Sequence, residues 1–387
     1  MLKSYKTLLS IHLIEERMDD VDEFMVDEIE IIGSSRYLWR WTYPSIDNDV
    51  RFFIEKRLAI SSSSSSSSSL STIFTYDYGK FTFYKIREKF IYILTNQSKR
   101  FSFVLLTIDF YPKYYQKLLK IFAEIFLTEN SIQKLLNEYL TLIIMDRIEV
   151  MINDNGDDGK RILYFQRDNC IENEFDMKKL QSQLRSIIKM FSLDVILIYT
   201  ALLLKKRIII YGNDTRTLFE FVMALPLFIQ HRLNMLDEQF IPNVDLQCPE
   251  QINDLKCREN FLSTFNDPRI EEHEDLYDVY INLATIEITI SHRAKETFMM
   301  TKTHKDVAIT FVRVAEKQSS TDQDVVDEIS KKTNELLNNL YSSSSLVDDD
   351  NSVIRKSRLK EKFSSPNVEQ FFFNLAMAEC LPIINDT

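Results

Sequence analysis

The segment SLDVILIYTALLLKKRIIIYG, residues 192–212, is the most apolar stretch of the 387-residue chain, and three adjacent cations interrupt it. A membrane-spanning helix needs about 20 largely uncharged residues, and Asp194 together with the basic cluster 205–207 leaves too short a run. Residues 193–204 suffice for about three helical turns, and the cations complement the negative end of that helix. The isoleucines that follow favour a strand covered on both faces. The segment therefore predicts a buried helix, a tight turn and a buried strand, not a transmembrane span.

The first 150 residues predict an α+β module. Aromatic and β-branched segments separated by turn residues indicate antiparallel strands, beginning with residues 5–14 and 36–43. Residues 111–127 and 131–144 have the apolar spacing of two helices. Nine consecutive serines at 61–69 contain nothing apolar to fold around, so we expect a disordered insertion there.

The remainder of the chain predicts a second, differently organised region. Residues 160–290 alternate helices and strands, which is typical of an α/β layer. Residues 291–387 predict an all-helical end interrupted by a flexible, serine- and aspartate-rich linker at 342–352. The polar turn at 153–160 resembles a calcium loop, but Gly156 and Phe165 stand where oxygen ligands are required, so we interpret it as a module boundary.

Composition narrows the class of protein. A formal net charge of −11 disfavours binding to a nucleic-acid backbone. The four cysteines form no C-x-x-C pair, which argues against a zinc site and fits a reducing compartment. The N-terminal segment lacks the features of a secretory signal. We therefore expect a cytoplasmic protein without a transmembrane segment.

No motif for chemical catalysis is present. The five glycines cannot form a dinucleotide fingerprint, a P-loop or a nucleophile elbow. His273 begins a zincin-like HEDLY, but Tyr277 occupies the position of the second histidine ligand. We expect no catalytic residue, no cofactor and no metal site.

The segment LWRWTYPS, residues 38–45, contains both tryptophans of the chain. On a regular strand, Trp39, Trp41 and Tyr43 share one face, with Leu38, Arg40 and Thr42 on the other. This aromatic face either packs against the helices of its own module or binds a partner, because Trp, Tyr and Arg are common interface anchors. The two alternatives stay open at this point.

Several segments together resemble the DENN family. ALLLKKRIIIYG, followed by ALPLFIQH, is similar to the central block of the family. DLYDVYINLATIEITISHRAKE, HKDVA at 304–308 and LWRWTYPS resemble a short member of it. The resemblance covers nearly the whole chain.

The resemblance implies a two-lobed architecture, with a longin-like antiparallel sheet and helices first, then an α/β layer and a helical end. Family members are guanine-nucleotide exchange factors for Rab GTPases. The resemblance thus implies a Rab partner, with a Rab27-type GTPase and late endosomes as the expected target and location. Such a protein is not a chemical enzyme, since it catalyses only the exchange of GDP for GTP.

The resemblance also implies an alternative role, as a non-catalytic subunit of a Commander-like endosomal recycling assembly docked on coiled-coil partners. In either role, peripheral membrane association would come through partners. We expect the partner interface at the rim between the lobes. Its candidate residues are Arg40, Trp41, Tyr43, Gln230, His231, Asp278 and Asn282.

Overall fold

The chain folds as two units, Met1–Phe175 and Asp176–Thr387. The computed structural model describes residues 8–16, 37–63, 74–76, 79–96, 98–153, 160–166, 176–232, 234–342, 344–347, 351–363 and 365–384. The predicted disordered insertion falls outside these residues from position 64 onward, as do the polar turn at 154–159 and residues 17–36.

Unit 1 is built on a six-stranded antiparallel sheet in the order β2-β1-β6-β5-β4-β3. The strands are β1 (Leu8–Glu16), β2 (Tyr37–Tyr43), β3 (Phe74–Tyr76), β4 (Gly79–Ile86), β5 (Lys89–Asn96) and β6 (Phe101–Thr107). β1 and β6 are neighbours inside the sheet although the other four strands lie between them in sequence. This order, with the helices described next, confirms the predicted longin-like antiparallel sheet.

Helices cover both faces of this sheet. They are α1 (Asn48–Ser63), α2 (Pro112–Glu129) and α3 (Ile132–Met145). Phe53 of α1 contacts Tyr84 at 5.9 Å between ring centroids, whereas Tyr115 of α2 contacts Tyr92 on the opposite face at 4.8 Å. Because both faces are buried, the central strands are apolar at nearly every position, as in β6, where all seven residues are buried.

A hairpin of β7 (Arg147–Asn153) and β8 (Lys160–Gln166) completes unit 1. The hairpin packs against α2 through two contacts. The ring centroids of Phe165 and Tyr114 are 4.8 Å apart, and Nη2 of Arg161 lies 2.6 Å from Oε2 of Glu124. Unit 1 therefore runs beyond residue 150, where we had placed its end.

Unit 2 contains a five-stranded sheet in the order β10-β11-β9-β12-β13. The strands are β9 (Arg207–Tyr211), β10 (Phe240–Ile241), β11 (Phe261–Phe265), β12 (Val279–Asn282) and β13 (Glu287–Ile290). The first four strands in this order are parallel and β13 is antiparallel to β12. This mixed sheet confirms the predicted α/β layer.

The apolar segment 192–212 lies in the interior of unit 2. A 3-10 turn (Ser192–Asp194) leads into α5 (Val195–Leu203), eight of whose nine residues are buried. The helix ends in a Schellman-type turn, in which the amide of Lys206 donates to the carbonyl of Ala201 at 2.9 Å. β9 follows at the centre of the sheet, with Ile209 and Ile210 fully buried. The predicted helix, turn and strand are confirmed.

The helical run Met177–Leu203 is long and apolar enough to cross a membrane by length and composition alone, yet 61% of its most apolar window is buried inside the protein. Ser192, with a φ of 50°, breaks the run into two helices. Tyr199 contacts Phe311 at 5.2 Å and its hydroxyl lies 2.9 Å from that of Thr333. These contacts make α5 a core helix of unit 2.

The other helices of unit 2 surround this core. They are α4 (Met177–Phe191), α6 (Thr215–Ala224), α7 (Met235–Gln239), α8 (Pro249–Cys257), α9 (Lys302–Glu316), α10 (Asp322–Tyr341), α11 (Lys356–Lys362) and α12 (Pro366–Ala378). Thr321 caps α10 through a capping box with Asp324. Where we predicted an all-helical end with a flexible linker at 342–352, the structure instead has β14 (Ser344–Val347) and β15 (Asn351–Arg355), which form a small sheet with β16 (Ile383–Ile384).

Candidate partner interface

Strand β2 contains a bulge at Arg40 that changes which face each aromatic side chain occupies. Leu13 of β1 pairs with Trp41, whereas the next residue, Ile14, pairs with Trp39, so Arg40 is the extra residue. Trp39 is thereby turned toward α1, where its indole nitrogen donates to Glu55 at 2.6 Å. The prediction that Trp39, Trp41 and Tyr43 share one face was wrong, because a regular two-residue alternation does not hold across a bulge.

Trp41 and Tyr43 both contact Tyr139 of α3 edge-on, at 6.4 Å and 5.9 Å between ring centroids. Trp41 is only 8% exposed, whereas Tyr43 is 40% exposed. Burial, with a smaller contribution from Tyr43, raises the pKa of Tyr139. Trp41 therefore belongs to the core of unit 1, and Tyr43 presents part of its ring at the surface.

Arg40 is held at the bulge by an ion pair with Glu15, at 2.7 Å. Its side chain is 41% exposed. The pair orients the guanidinium along the sheet surface without removing it from solvent, so Arg40 and Tyr43 are the two candidates of unit 1 that a partner can reach.

Gln230 and His231 follow the 3-10 turn Leu225–Phe228 of unit 2. Gln230 is exposed and accepts a hydrogen bond from Ser330 of α10 at 2.9 Å. The Nε2 atom of His231 lies 3.1 Å from Oε1 of Glu379, just beyond α12. Both side chains tie this loop to neighbouring helices while Gln230 stays at the surface.

Arg232, which we did not single out, is the more strongly engaged neighbour. Its guanidinium donates to the carbonyls of Leu202 and Leu203, at 2.9 Å and 2.7 Å, and pairs with Glu379. It thus gives the Leu203 carbonyl a charged donor and the Leu202 carbonyl a further donor beside the backbone amide of Lys205, which lies at 3.2 Å. No local pattern signals this role, because Arg232 and Leu203 are 29 residues apart in the chain.

Asp278 directly precedes β12, and Asn282 is the last residue of that strand. Asp278 accepts from the backbone amide of Arg207 at 3.0 Å and pairs with the side chains of Arg207 and Arg293, at 3.4 Å and 3.2 Å. It fixes the register between β9 and β12. Asn282 caps the β12–β13 turn by accepting from the amides of Ala284 and Thr285, at 2.9 Å and 3.1 Å.

The structure gathers some predicted interface residues and separates others. Arg40, Trp41 and Tyr43 are close in unit 1, and Gln230 and His231 are neighbours in unit 2. Asp278 and Asn282 are about 13 Å apart along a strand. Within the described ranges, no group of three or more histidine, cysteine or acidic side chains is arranged to hold a metal ion.

Comparison with known proteins agrees with this architecture. A family model described as "Stabilization of polarity axis" matches residues 181–292, which run from α4 to the turn after β13. DENN domain-containing protein 10 of Danio rerio is 30% identical over 350 residues, 89% of this chain and 93% of that protein. Its counterparts in Homo sapiens and Dictyostelium discoideum are each 27% identical, over 91% and 90% of this chain and 94% of their own length. The similarity spans both units, and the chain therefore belongs to the DENN domain family.

Proposed function

We propose that this protein is a guanine-nucleotide exchange factor for a Rab-family GTPase, with a Rab27-type GTPase as its target on late endosomes. DENN domain proteins are generally Rab exchange factors. The observation that carries the proposal is the 30% identity to DENN domain-containing protein 10 of Danio rerio, which extends over 89% of the chain. The similarity therefore extends over both units of the chain and is not confined to one of them.

The chemistry required of such a protein is modest. An exchange factor must bind the nucleotide-free GTPase more tightly than the loaded form, and this difference in affinity lowers the barrier to GDP release. No general acid, base or nucleophile takes part. A chain in which no catalytic motif can be assembled from its five glycines is compatible with this activity.

The accessible candidates for contact with the GTPase are Arg40 and Tyr43 in unit 1 and Gln230 in unit 2. Each is exposed. Trp41 contributes indirectly, because it packs against the Tyr139 ring that Tyr43 also contacts. Asp278 and Asn282 maintain the sheet from which neighbouring loops project.

The test is the release of a fluorescent GDP analogue from a panel of purified Rab GTPases that includes Rab27. We expect the full-length protein, at micromolar concentration, to accelerate release from one Rab by at least about tenfold. No acceleration of any Rab would contradict the proposal. Recovery of a coiled-coil protein instead of a GTPase from a pull-down in GDP-depleted buffer would replace it with the interaction-subunit hypothesis.

Variants make the test specific. Tyr43→Ala and Gln230→Ala should slow exchange without lowering the melting temperature greatly. Phe52→Ala is the matched control, since Phe52 is 63% exposed on α1, which covers the other face of the same sheet. Equal exchange rates for all three variants would show that the predicted residues lie outside the interface.

A further inference from the structure

The β7–β8 hairpin has apolar side chains on both of its faces. Ile148, Val150 and Phe165 point toward the core of unit 1 and are at most 2% exposed. The residues between them point the other way, because side chains alternate along a strand and the two strands pair residue by residue without a bulge. An antiparallel hairpin with one buried face ordinarily presents polar side chains on the other. The outward side chains of this hairpin depart from that pattern.

Three directly opposed pairs make up the outward surface, which we call the hairpin face. They are Met151 opposite Ile162, Glu149 opposite Tyr164, and Arg147 opposite Gln166. Met151 is 63% exposed, Ile162 55% and Tyr164 46%. Contact between opposed side chains stabilises a hairpin, yet it leaves more than half of Met151 and of Ile162 in contact with water. Covering these side chains with a further apolar surface would therefore be favourable.

The charges on the hairpin face balance. Arg147 and Glu149 are exposed and carry opposite charges, so the face has no net charge in a chain whose net charge is −11. A phosphate-rich surface or a strongly basic protein would find no complementary charge there. Two copies of so acidic a chain repel one another over most of their surface. The neutral hairpin face is a place where two copies can meet without that repulsion.

The hairpin face is also complementary to itself. A two-fold axis that runs parallel to the strands places β7 of one copy over β8 of the other, and each row of side chains over the same row. The three facing pairs are then Met151 with the partner's Ile162, Glu149 with the partner's Tyr164, and Arg147 with the partner's Gln166. Each charged side chain meets a neutral hydrogen-bonding side chain and never a like charge. The Tyr164 hydroxyl, which donates to Gln166 within its own chain, can turn to donate to the partner's Glu149.

We propose that the hairpin face is a self-association surface, on which the hairpin of a second copy of this chain stacks face to face. Stacked sheets lie about 10 Å apart, a gap that methionine, tyrosine and arginine side chains fill from both sides. The three pairs on each copy are a small contact compared with the roughly 20–30 residues a side of a standard protein interface. We therefore expect a weak, reversible dimer with a Kd of about 10–100 µM.

Sedimentation equilibrium of the full-length protein between about 1 and 200 µM tests the proposal. We expect the weight-average mass to rise with concentration from 45.8 kDa toward twice that value. Met151→Lys/Ile162→Lys should weaken association at least about tenfold, because the dimer would then bury unpaired cations. The control Met377→Lys/Ile309→Lys makes the same changes at a methionine and an isoleucine of unit 2 that are 60% and 53% exposed, and it should associate like the wild type.

A mixing experiment tests the two-fold arrangement. Met151→Glu and Ile162→Lys should each self-associate at least about tenfold more weakly than the wild type, since either dimer buries two unpaired charges. An equimolar mixture of the two variants should associate within about threefold of the wild type. In the mixed dimer, position 151 of one variant faces position 162 of the other, so the opposite charges pair. Circular dichroism melting of every variant checks that unit 1 stays folded.

A wild-type protein that stays at 45.8 kDa over the whole concentration range would overturn the proposal. Equal loss of association in the two lysine double variants, or a mixture no stronger than its components, would also overturn it. A monomeric wild type whose exchange activity falls in Met151→Lys/Ile162→Lys would assign the hairpin face to the GTPase instead. Sedimentation requires no GTPase, so a dimer would be detected whether or not the protein is an exchange factor.

Discussion

Arg232 and Glu379, which are 147 residues apart in sequence, form an ion pair beside the end of the buried helix α5. Both side chains are almost enclosed, with exposed fractions of 12% and 13%. Through this pair the segment after α12 is joined to the central helix of unit 2. Glu379 therefore contributes to the stability of the core of unit 2.

Replacement of Glu379 by Gln should destabilise unit 2 by about 2 kcal/mol, because Arg232 loses a charged partner in an enclosed position. Burial opposes ionisation of Glu379, but His231 and Arg232 outweigh it and lower the pKa of the carboxyl. Its stabilising contribution is thus present above the ordinary pKa and disappears as pH falls. Chemical denaturation measures the change in the free energy of unfolding. Glu335→Gln serves as the control, because the Glu335 side chain is 46% exposed. Equal effects of the two variants would contradict the prediction.

Substitution of Arg185 of α4, whose side chain is half-buried, should destabilise unit 2. Its guanidinium donates to the carbonyls of Ala315, Lys317 and Ser320, each at 2.8 Å, and thereby holds the connection between α9 and α10. Arg185→Gln should cost about 3 kcal/mol, since several carbonyls lose a charged donor together. Arg216→Gln, at a 63% exposed arginine, should cost less than about 0.5 kcal/mol. The melting temperatures of the two variants test this prediction. Similar losses of stability for both would show that the hydrogen bonds of Arg185 do not hold the connection between α9 and α10.

The stability of unit 1 should decrease between pH 6.5 and about 4. His12 is fully buried, and desolvation lowers its pKa from 6.5 to about 4. In this window the unfolded chain binds a proton that the folded unit does not, so stability is lost as pH falls, by up to about 3 kcal/mol.

Tryptophan fluorescence isolates this effect, because both tryptophans, and no histidine other than His12, precede residue 176. Urea unfolding followed by this signal should show the loss in the wild type and a flatter pH dependence in His12→Gln. Identical pH profiles would exclude His12 as the cause.

Ile286 occupies an unfavourable backbone conformation in the β12–β13 turn. Its φ is 60°, a region that β-branched residues rarely adopt, and its side chain is 47% exposed. Ile286→Gly should therefore stabilise unit 2 by about 1 kcal/mol. Thr285→Gly, one residue earlier and without a positive φ, should not stabilise it. The denaturation midpoints of both variants are compared with that of the wild type. A midpoint below the wild-type value for Ile286→Gly would show that the packing of the isoleucine side chain outweighs the backbone strain.

Trp41 and Tyr43 should respond differently to truncation although both touch Tyr139. Trp41→Ala removes a buried indole and should cost about 4 kcal/mol, whereas Tyr43→Ala, at a ring 40% exposed, should cost about 1 kcal/mol. Circular dichroism melting measures both. A large loss for Tyr43→Ala would place its ring in the core and remove it from the proposed interface.

Much of the secondary structure follows from local pattern. The helix over 193–204 and the strand that follows are confirmed because their apolar residues occur in uninterrupted runs closed by charged or turn-forming residues. The two helices predicted within 111–144 begin and end within two residues of the expected positions. The short strands after residue 343 escaped prediction, since serine and aspartate tracts carry no β pattern.

The sequence by itself determined the alternation of helices and strands, the interior position of residues 192–212 and the absence of a familiar catalytic motif, because these depend on residue type and near-neighbour spacing. Only the tertiary structure decided that Arg40 is the extra residue of a bulge, that Trp41 is buried while Tyr43 is exposed, and that Asp278 joins two strands. Each of these depends on strand register or on partners far away along the chain. Spacing within one segment contains no information about the side chains that another segment brings against it.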